Sequence, residues 1–354
     1  MAVRYSLVAE ELRRLCAQLK KQGGSRLPSE QELCLRFSCS RQTVRAALAL
    51  LERNGLIVKK RGSGSYLAEG RPRPDDRIVL LAPDENEYLY PALIRELRPR
   101  LAAHGWHLVC RSTGDRHARE RALLRELLDD PPAAVLLEPV ANRFPNPNED
   151  LLRSLEAAGV PLAYLFCAYE NGPDAPCAAE ADREGAAQLV QLLADHGRRR
   201  IGGLFRSDDS RGFERCAGVM QGCAELGLES SERDFAWLTG EDRRQIVDGG
   251  TELLRHFLRR YWYDCGAVIC QNDELAYHLI RELERLGRRV PDDMAVVSFD
   301  DSYYATAGSV GITSLGHRPH ALAEAAEQAV LAAVSGSALS PVPVPWFLAE
   351  RASL

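Results

Sequence analysis

A chain of 354 residues, 45% hydrophobic and 27% charged, with a pI near 6.0, has room for two or three ordinary globular domains. Its ten cysteines form no CxxC pair and no zinc-type Cys/His spacing, so reduced thiols are expected, with no metal and no cofactor. No stretch has the apolar length of a membrane span and no long apolar signal segment opens the chain, which points to the cytoplasm and away from a membrane.

The net charge of −5 hides an asymmetry. Residues 1–70 hold 13 Lys and Arg against 6 Asp and Glu, net +7, and the remainder is net −12. A basic head on an acidic body places attraction for a phosphate backbone at one end only.

In chain order, residues 5–22 have leucines at mixed three-and-four spacing and are expected to form an amphipathic helix. Ser29 stands three residues before Glu32, a capping-box spacing that starts a helix, and Leu33 and Phe37 share one of its faces. Ser38-Cys39 breaks that pattern, and Ser40 is a second N-cap candidate. Val44, Ala47, Leu48 and Leu51 make the buried stripe of the helix that follows, which leaves Arg41, Gln42, Thr43 and Arg45 on its exposed first turns. Two short helices joined by a tight turn, with such residues on the second, describe a reader of the DNA major groove. Gly55 is expected to end the helix. Residues 56–58 and 65–67 then form a hairpin whose tip, Lys59-Lys60-Arg61-Gly62-Ser63-Gly64, is basic.

This head, residues 1–68, resembles the winged helix-turn-helix of GntR-family transcription regulators, through LPSEQEL, SRQTVRAAL, LLERNGLI and RGSGSYL. The resemblance implies that Arg41, Gln42 and Arg45 read base edges. It assigns Ser29, Thr43, Arg4 and the wing residues Lys59, Lys60, Arg61, Gly62 and Gly64 to phosphate and the adjacent minor groove.

Residues 69–76, with alternating prolines, read as a linker, and a second domain, 77–354, begins at Arg77. Apolar strand-like runs there alternate with amphipathic helices, among them an expected single helix over Arg244–Tyr261. Fully apolar strands between helices indicate parallel sheets covered on both faces. About ten strands fit two α/β lobes with a cleft between them. The fold class expected is α/β: an N-terminal winged helix-turn-helix plus a two-lobed parallel-sheet body.

Several segments of the body resemble LacI/GalR-type effector domains, which are built like periplasmic sugar-binding proteins. They are Asp182-Arg-Glu-Gly-Ala, His196-Gly-Arg-Arg-Arg-Ile, Arg215-Cys-Ala-Gly218, the run from Ala267 to Ala276, the run from Gly287 to Asp301, and Phe347 to Ser353. Ligands in such folds bind beyond the C-terminal strand ends. That placement nominates Tyr88 and Tyr90 after the first strand, Glu138 after Leu137, and Phe166, Asn272, Asp273 and Asp300 after later strands. Arg215, Asn272 and Asp300 match family positions that commonly hold polyols, and sugar hydroxyls call for carboxylates, amides and a guanidinium. Asp273 also fits a helix N-cap. Two departures stand out: Phe166-Cys167 where many relatives have an acidic residue, and His317 at the usual glutamine position.

The resemblance implies a ligand-responsive regulator, a repressor of carbohydrate-related genes. It would bind a double-stranded DNA operator as a homodimer and respond to a sugar-like effector. A body that only dimerises, or that takes a non-sugar effector, is the alternative. No catalytic residue is expected: GxSxG, HExxH and a P-loop are absent, and no lysine follows Lys60 to form a Schiff base.

Overall fold

A computed structural model of the protein describes residues 25–37, 39–53, 57–60, 64–67, 76–86, 88–260, 262–337 and 342–354, together with 8, 11, 12, 15, 16 and 19. The chain divides into two compact units, Met1–Arg77 with Arg125–Ala133, and Ile78–Leu124 with Ala134–Leu354.

In the first unit the capping box forms in both directions. The Glu32 amide donates to Ser29 Oγ (3.3 Å) and the Ser29 amide to Glu32 Oε2 (2.7 Å). Helix α1 follows, Glu30–Phe37. Ser40 Oγ accepts from the Thr43 amide (3.2 Å) and starts α2, Arg41–Arg53. Val44, Ala47, Leu48 and Leu51 are buried in one core with Leu12, Leu15, Leu27, Leu33 and Ile57, each valine, leucine or isoleucine contributing about 1.5–3 kcal/mol on full burial. Strands β1 (Ile57–Lys60) and β2 (Gly64–Leu67) pair antiparallel, Ile57 opposite Leu67. Ser25–Leu27 bonds to β2 through Leu27 N to Ser65 O (2.9 Å) and Leu67 N to Ser25 O (2.6 Å). Residues 8, 11, 12, 15, 16 and 19 of the expected first helix are helical. Its other residues, Gly55 and the linker up to residue 75 lie outside the described residues.

The body holds two sheets. The first takes β3 (Arg77–Ala82), β4 (His107–Ser112), β5 (Ala134–Leu137), β6 (Leu162–Phe166) and β7 (Cys177–Ala179) in the order β4-β3-β5-β6-β7. Its pairings β3–β5, β5–β6 and β6–β7 are parallel. The helices that alternate with its strands in sequence are α3 (Tyr90–Ala103), α4 (His117–Asp129) and α5 (Glu149–Ala157). The second takes β8 (Ile201–Arg206), β9 (Phe235–Leu238), β10 (Ala267–Cys270), β11 (Ala295–Phe299), β12 (Thr313–Gly316) and β13 (Phe347–Ala349) in the order β13-β12-β11-β10-β8-β9. All its pairings are parallel except β13 on β12. Its helices are α6 (Asp182–Asp195), α7 (Ser210–Glu225), α8 (Gly240–Val247), α9 (Glu252–Arg260), α10 (Asp273–Arg285) and the short α11 (Tyr304–Ala307).

Helix α12 (Ala321–Ser335) packs on α3, β5, β6 and β7, so it belongs to the first lobe. The chain therefore crosses between lobes three times: near Glu180, near His317, and over Pro343–Trp346. In each sheet the winding reverses beside the central strand, between β3 and β5 and between β8 and β10. The crevice at such a switch point is where α/β sheets bind ligands, because the loops on either side part there.

Two expectations change. The single helix over Arg244–Tyr261 is two, α8 and α9, interrupted at Gly249-Gly250, where Gly249 has φ +99. The first of them also begins earlier, at Gly240, because Thr239 and Asp242 form a capping box (Asp242 N to Thr239 Oγ1 3.3 Å, Thr239 N to Asp242 Oδ2 2.8 Å). In addition β7, β12, α12 and β13 are elements that the periodicity reading did not find.

Helices α6 and α7 approach closely because Gly218 and Gly222 of α7 face α6. A Cβ at Gly218 would collide with the Arg183 carbonyl oxygen and lie 2.8 Å from the Ala186 Cβ. Gly218→Ala is therefore expected to cost about 1–3 kcal/mol and to lower the melting temperature of the protein. An unchanged thermal unfolding curve would show that the helix pair can part to admit the methyl.

Candidate functional site

The first candidate surface is on the head. Arg41, Gln42 and Arg45 are exposed on the start of α2, and Thr43 is half-buried with its hydroxyl 2.9 Å from Ser40 Oγ. Arg45 Nε donates to Glu30 Oε2 on α1 (2.8 Å), with the guanidinium still mostly in solvent. An exposed pair of this kind is weakly held, so the guanidinium can exchange to a stronger acceptor. Ser29 is exposed beside Glu32, and Lys59 and Gly64 are exposed on the hairpin. Arg4, Arg61, Gly62 and the side chain of Lys60 lie outside the described residues. Arg26 was not anticipated. It is exposed, and its guanidinium lies 6.0 Å from the Tyr66 ring centre on β2. Only its position before LPSEQEL could have signalled it.

The second candidate is the cleft of the body, where the switch-point loops of both sheets meet. From the first lobe, Tyr90 at the start of α3 donates its hydroxyl to Glu138 Oε2 after β5 (2.5 Å). Tyr88 donates its hydroxyl across the cleft to Asp300 Oδ2 after β11. Arg211 on α7 reaches back from the second lobe, donating to Glu138 Oε1 (3.2 Å) and to Asp209 Oδ2 (2.8 Å), and lies over the Phe166 ring at 4.8 Å. One turn further along α7, Arg215 is 1% exposed. It donates Nε to Asp182 Oδ1 (2.7 Å) and Nη1 to the Gln271 carbonyl, and faces Glu180 (3.5 Å) and Asp300 (3.8 Å). Its guanidinium sits 4.1 Å over the Phe299 ring. His317 is bonded to Glu180 Oε1 (2.8 Å). At the cleft edge, Asp115 of the first lobe accepts from Arg206 of the second (3.2 Å).

Seven nominated residues thus come together: Tyr88, Tyr90, Glu138, Phe166, Arg215, Asp300 and His317. Two others have structural work. Asn272 Oδ1 caps α10 by accepting from the Leu275 amide (3.1 Å), so Asn272, not Asp273, is the N-cap. Asp273 is fully buried and accepts from Ser298 Oγ and from the Ser302 amide (2.6 Å), which holds the loop that carries Asp300. Glu180, Arg211 and Trp346 are not among the nominated residues, and Asp182 enters the sequence reading only as the first residue of a family-like segment. Arg211 had a signal, since it precedes Arg215 by four and shares its helix face. Glu180 did not, because nothing local marks its burial.

Carboxyls outnumber cations here, and burial decides their protons. Burial pushes Glu138 up to about 7 despite Arg211 and Tyr90. Burial likewise takes Asp182 to about 7 against the pull of Arg215, and Asp273 to about 7 with the Asp300 charge adding. Asp209 goes the other way: burial alone would raise it, but Arg211 and Arg206 hold it at about 2. Such an arrangement offers hydroxyl-bearing ligands donors, acceptors and aromatic faces in one crevice.

Known proteins match both regions. Residues 4–67 match the family "bacterial regulatory proteins, gntR family", and residues 190–354 match a periplasmic binding protein-like domain. The chain is 31% identical to the arabinose metabolism transcriptional repressor of Geobacillus stearothermophilus over 299 residues, 82% of this chain and 80% of that one. It is 28% identical to the protein of that name from Halalkalibacterium halodurans over 324 residues, 90% of this chain and 85% of that one. Among solved structures, the transcriptional regulator CelR in complex with cellobiose shares the fold at a TM-score of 0.67. That structure is 24% identical, and the match covers 88% of this chain and 90% of that one.

The raised carboxyls make a prediction with a definite sign. Glu138, Asp182 and Asp273 bind protons more tightly in the folded chain than in the unfolded one, so stability falls as pH rises from the ordinary carboxylate range through about 7. Asp209, held down at about 2, acts only below that window. Thermal unfolding near pH 8 should give a lower midpoint than near pH 5.5, and Glu138→Gln should remove on the order of 1 kcal/mol of the difference. A midpoint equal at the two pH values would contradict the shifts.

Proposed function

As a member of the gntR family of bacterial regulatory proteins, in the group whose body is periplasmic-binding-protein-like, this chain is a DNA-binding transcription regulator, and we propose that a sugar-like effector held in the body's cleft sets its affinity for an operator. The observation that carries the effector half is the convergence of Arg211, Arg215, Glu138 and Asp300, with Tyr88 and Tyr90, from the loops of two separate sheets. Aromatic faces at Phe166 and Phe299 sit beside the two guanidiniums.

The relatives named above act as repressors in arabinose metabolism, by their names, and CelR was solved with cellobiose. On that support this chain is a repressor of carbohydrate-related genes rather than an enzyme, working in the cytoplasm. Residues 1–68 form the DNA-binding head, 69–76 the linker, and 77–354 the body that binds effector and pairs two copies. A homodimer would present two heads to a pseudo-palindromic site. Arg41, Gln42 and Arg45 read bases. Ser29, Thr43, Arg4, Arg26 and the wing hold phosphate, so affinity falls as salt rises. The effector would replace the Tyr88–Asp300 and Arg211–Glu138 bonds with its own hydroxyls and shift the lobes. Such coupling requires different affinities for the two lobe arrangements.

Three outcomes test this reading. Arg45→Ala should weaken operator binding by about 1–3 kcal/mol and relax selectivity at one base position; a binding isotherm of unchanged affinity and selectivity would remove Arg45 from the reading set. In a thermal-shift panel of arabinose, xylose, glucose, cellobiose and gluconate on the full chain, one sugar should raise the midpoint, since a ligand at a hundred times its Kd stabilises by about 2.7 kcal/mol. No shift from any of them would favour a body that only dimerises or that takes a non-sugar effector. Asp300→Ala should abolish that shift while leaving operator binding intact, and a normal shift would take Asp300 out of the site.

A further inference from the structure

The three segments that cross between the lobes meet at one side chain, His317. It stands on the second crossover. Its Nδ1 is 3.0 Å from the Pro345 carbonyl oxygen on the third, and its Nε2 is 2.8 Å from Glu180 Oε1 on the first. A carbonyl oxygen and a carboxylate only accept, so both ring nitrogens donate and the ring is an imidazolium. The ring lies on the Trp346 indole, centroids 3.9 Å apart and planes 26° apart. That indole packs edge-on to Phe299 and against Gly185 in the first turn of α6. The first and third crossovers are joined by main chain as well, Ala181 N to Val344 O (3.0 Å) and Val344 N to Ala179 O (2.8 Å). Glu180 turns its second oxygen to Arg215 Nη2 at 3.5 Å.

We propose that protonated His317 is a positioning residue, a clasp that binds the three crossovers into one hinge and aims Glu180 at Arg215, so that lobe closure is tightest where His317 carries its proton. Two-lobed binding folds close by small backbone rotations in such crossovers. A cation bonded to both neighbouring segments restrains those rotations in a way that a neutral side chain does not. The link from closure to operator release rests on the function proposed above. The clasp itself does not.

The charged groups that face His317 are Glu180 on the first crossover and Asp300 after β11, with Asp182 and Arg215 one contact further away; among the described residues the third crossover presents the Pro345 carbonyl and the Trp346 ring, neither of them charged. Burial alone would lower the imidazole, but the Glu180 hydrogen bond and charge outweigh it and hold it above its ordinary value. The clasp is therefore complete below the ordinary histidine range and is lost as pH rises through the raised value. Asp182, pushed up to about 7, ionises in the same window and strengthens its hold on Arg215. His317→Gln keeps Asp182 and one donor while removing the charge, and so isolates the imidazole.

Hydrogen exchange on the full-length protein, corrected for intrinsic rates, tests the proposal. Between about pH 6 and about pH 9, protection of the Ala181 and Val344 amides, which join the first and third crossovers, should fall at least tenfold in the wild type, while β10 and β11 stay protected. His317→Gln should show low protection in the crossovers at both pH values and no step. The same step in His317→Gln, or no step in the wild type, overturns the clasp. Nitrogen NMR of the wild-type imidazole near neutral pH gives a reading that needs no variant: two protonated ring nitrogens support the clasp and a neutral tautomer ends it. With arabinose as probe, the wild-type dose for operator release should rise several-fold across that pH range and that of His317→Gln should not. If arabinose has no effect on either protein, arabinose is not the effector, and the exchange result still judges the clasp.

Discussion

A guanidinium does not lose its proton inside a protein, so a buried one must find acceptors on every side. Arg215 meets that demand with partners from four places: Asp182 at the start of α6, the Gln271 carbonyl after β10, Glu180 on the first crossover and Asp300 after β11. Phe299 closes one face of it. Taking away any one partner of a buried charge leaves the rest uncompensated, at several kcal/mol. The second lobe's half of the cleft is therefore a single electrostatic unit. The neighbouring acids, and through Glu180 the hinge, are placed by the need to neutralise one side chain.

Across the cleft, side-chain bonds join the two lobes. Tyr88 reaches Asp300, Arg211 reaches Glu138, and Arg206 reaches Asp115. Three of the residues around the crevice hold backbone conformations that L residues avoid: Tyr88 at φ +57, Phe166 at φ +66 and Asp300 at φ +95. Each costs about 1–3 kcal/mol, and such strain persists where surrounding packing imposes it, commonly at binding sites. Phe166 in that conformation is the platform for Arg211, and Asp300 is the acceptor shared by Tyr88 and Arg215. The two departures in the sequence fit the same picture. The aromatic at position 166 supports a guanidinium where an acid would have paired with it, and the histidine at 317 serves the hinge.

The head works by a different principle. Its core is small, and its elements are set by short-range devices: two caps, one apolar stripe and a hairpin. Those devices leave Arg41, Gln42 and Arg45 on the solvent face because Val44, Ala47, Leu48 and Leu51 take the inner one. Recognition of DNA needs that separation, since base edges are read by side chains that have no role in the core. The excess of basic residues in the head then supplies the nonspecific attraction.

The capping box of α1, the N-cap and apolar stripe of α2, the hairpin and the alternation of apolar strands with amphipathic helices were all legible in the sequence, because each depends on residues a few positions apart. Weak local signals left other elements unmarked. The glycine pair that divides α8 from α9 was passed over, and alanine-rich α12, with almost no polar face in ALAEAAEQAVLAAVS, gave no clear stripe. Switch-point logic brought Tyr88, Tyr90, Glu138 and Asp300 to the cleft, because strand ends and helix starts are themselves local features, and the family resemblance brought Arg215. The sequence alone thus determined a basic winged head, a two-lobed parallel-sheet body and most of the residues at its crevice. Only the tertiary structure decided that Asn272 caps α10, that Asp273 holds the loop carrying Asp300, and that Glu180, Asp182 and Arg211 join the site. It also gave His317 two partners, 137 and 28 positions away. Burial and hydrogen-bond geometry between such distant residues exist only once the three crossovers are laid side by side.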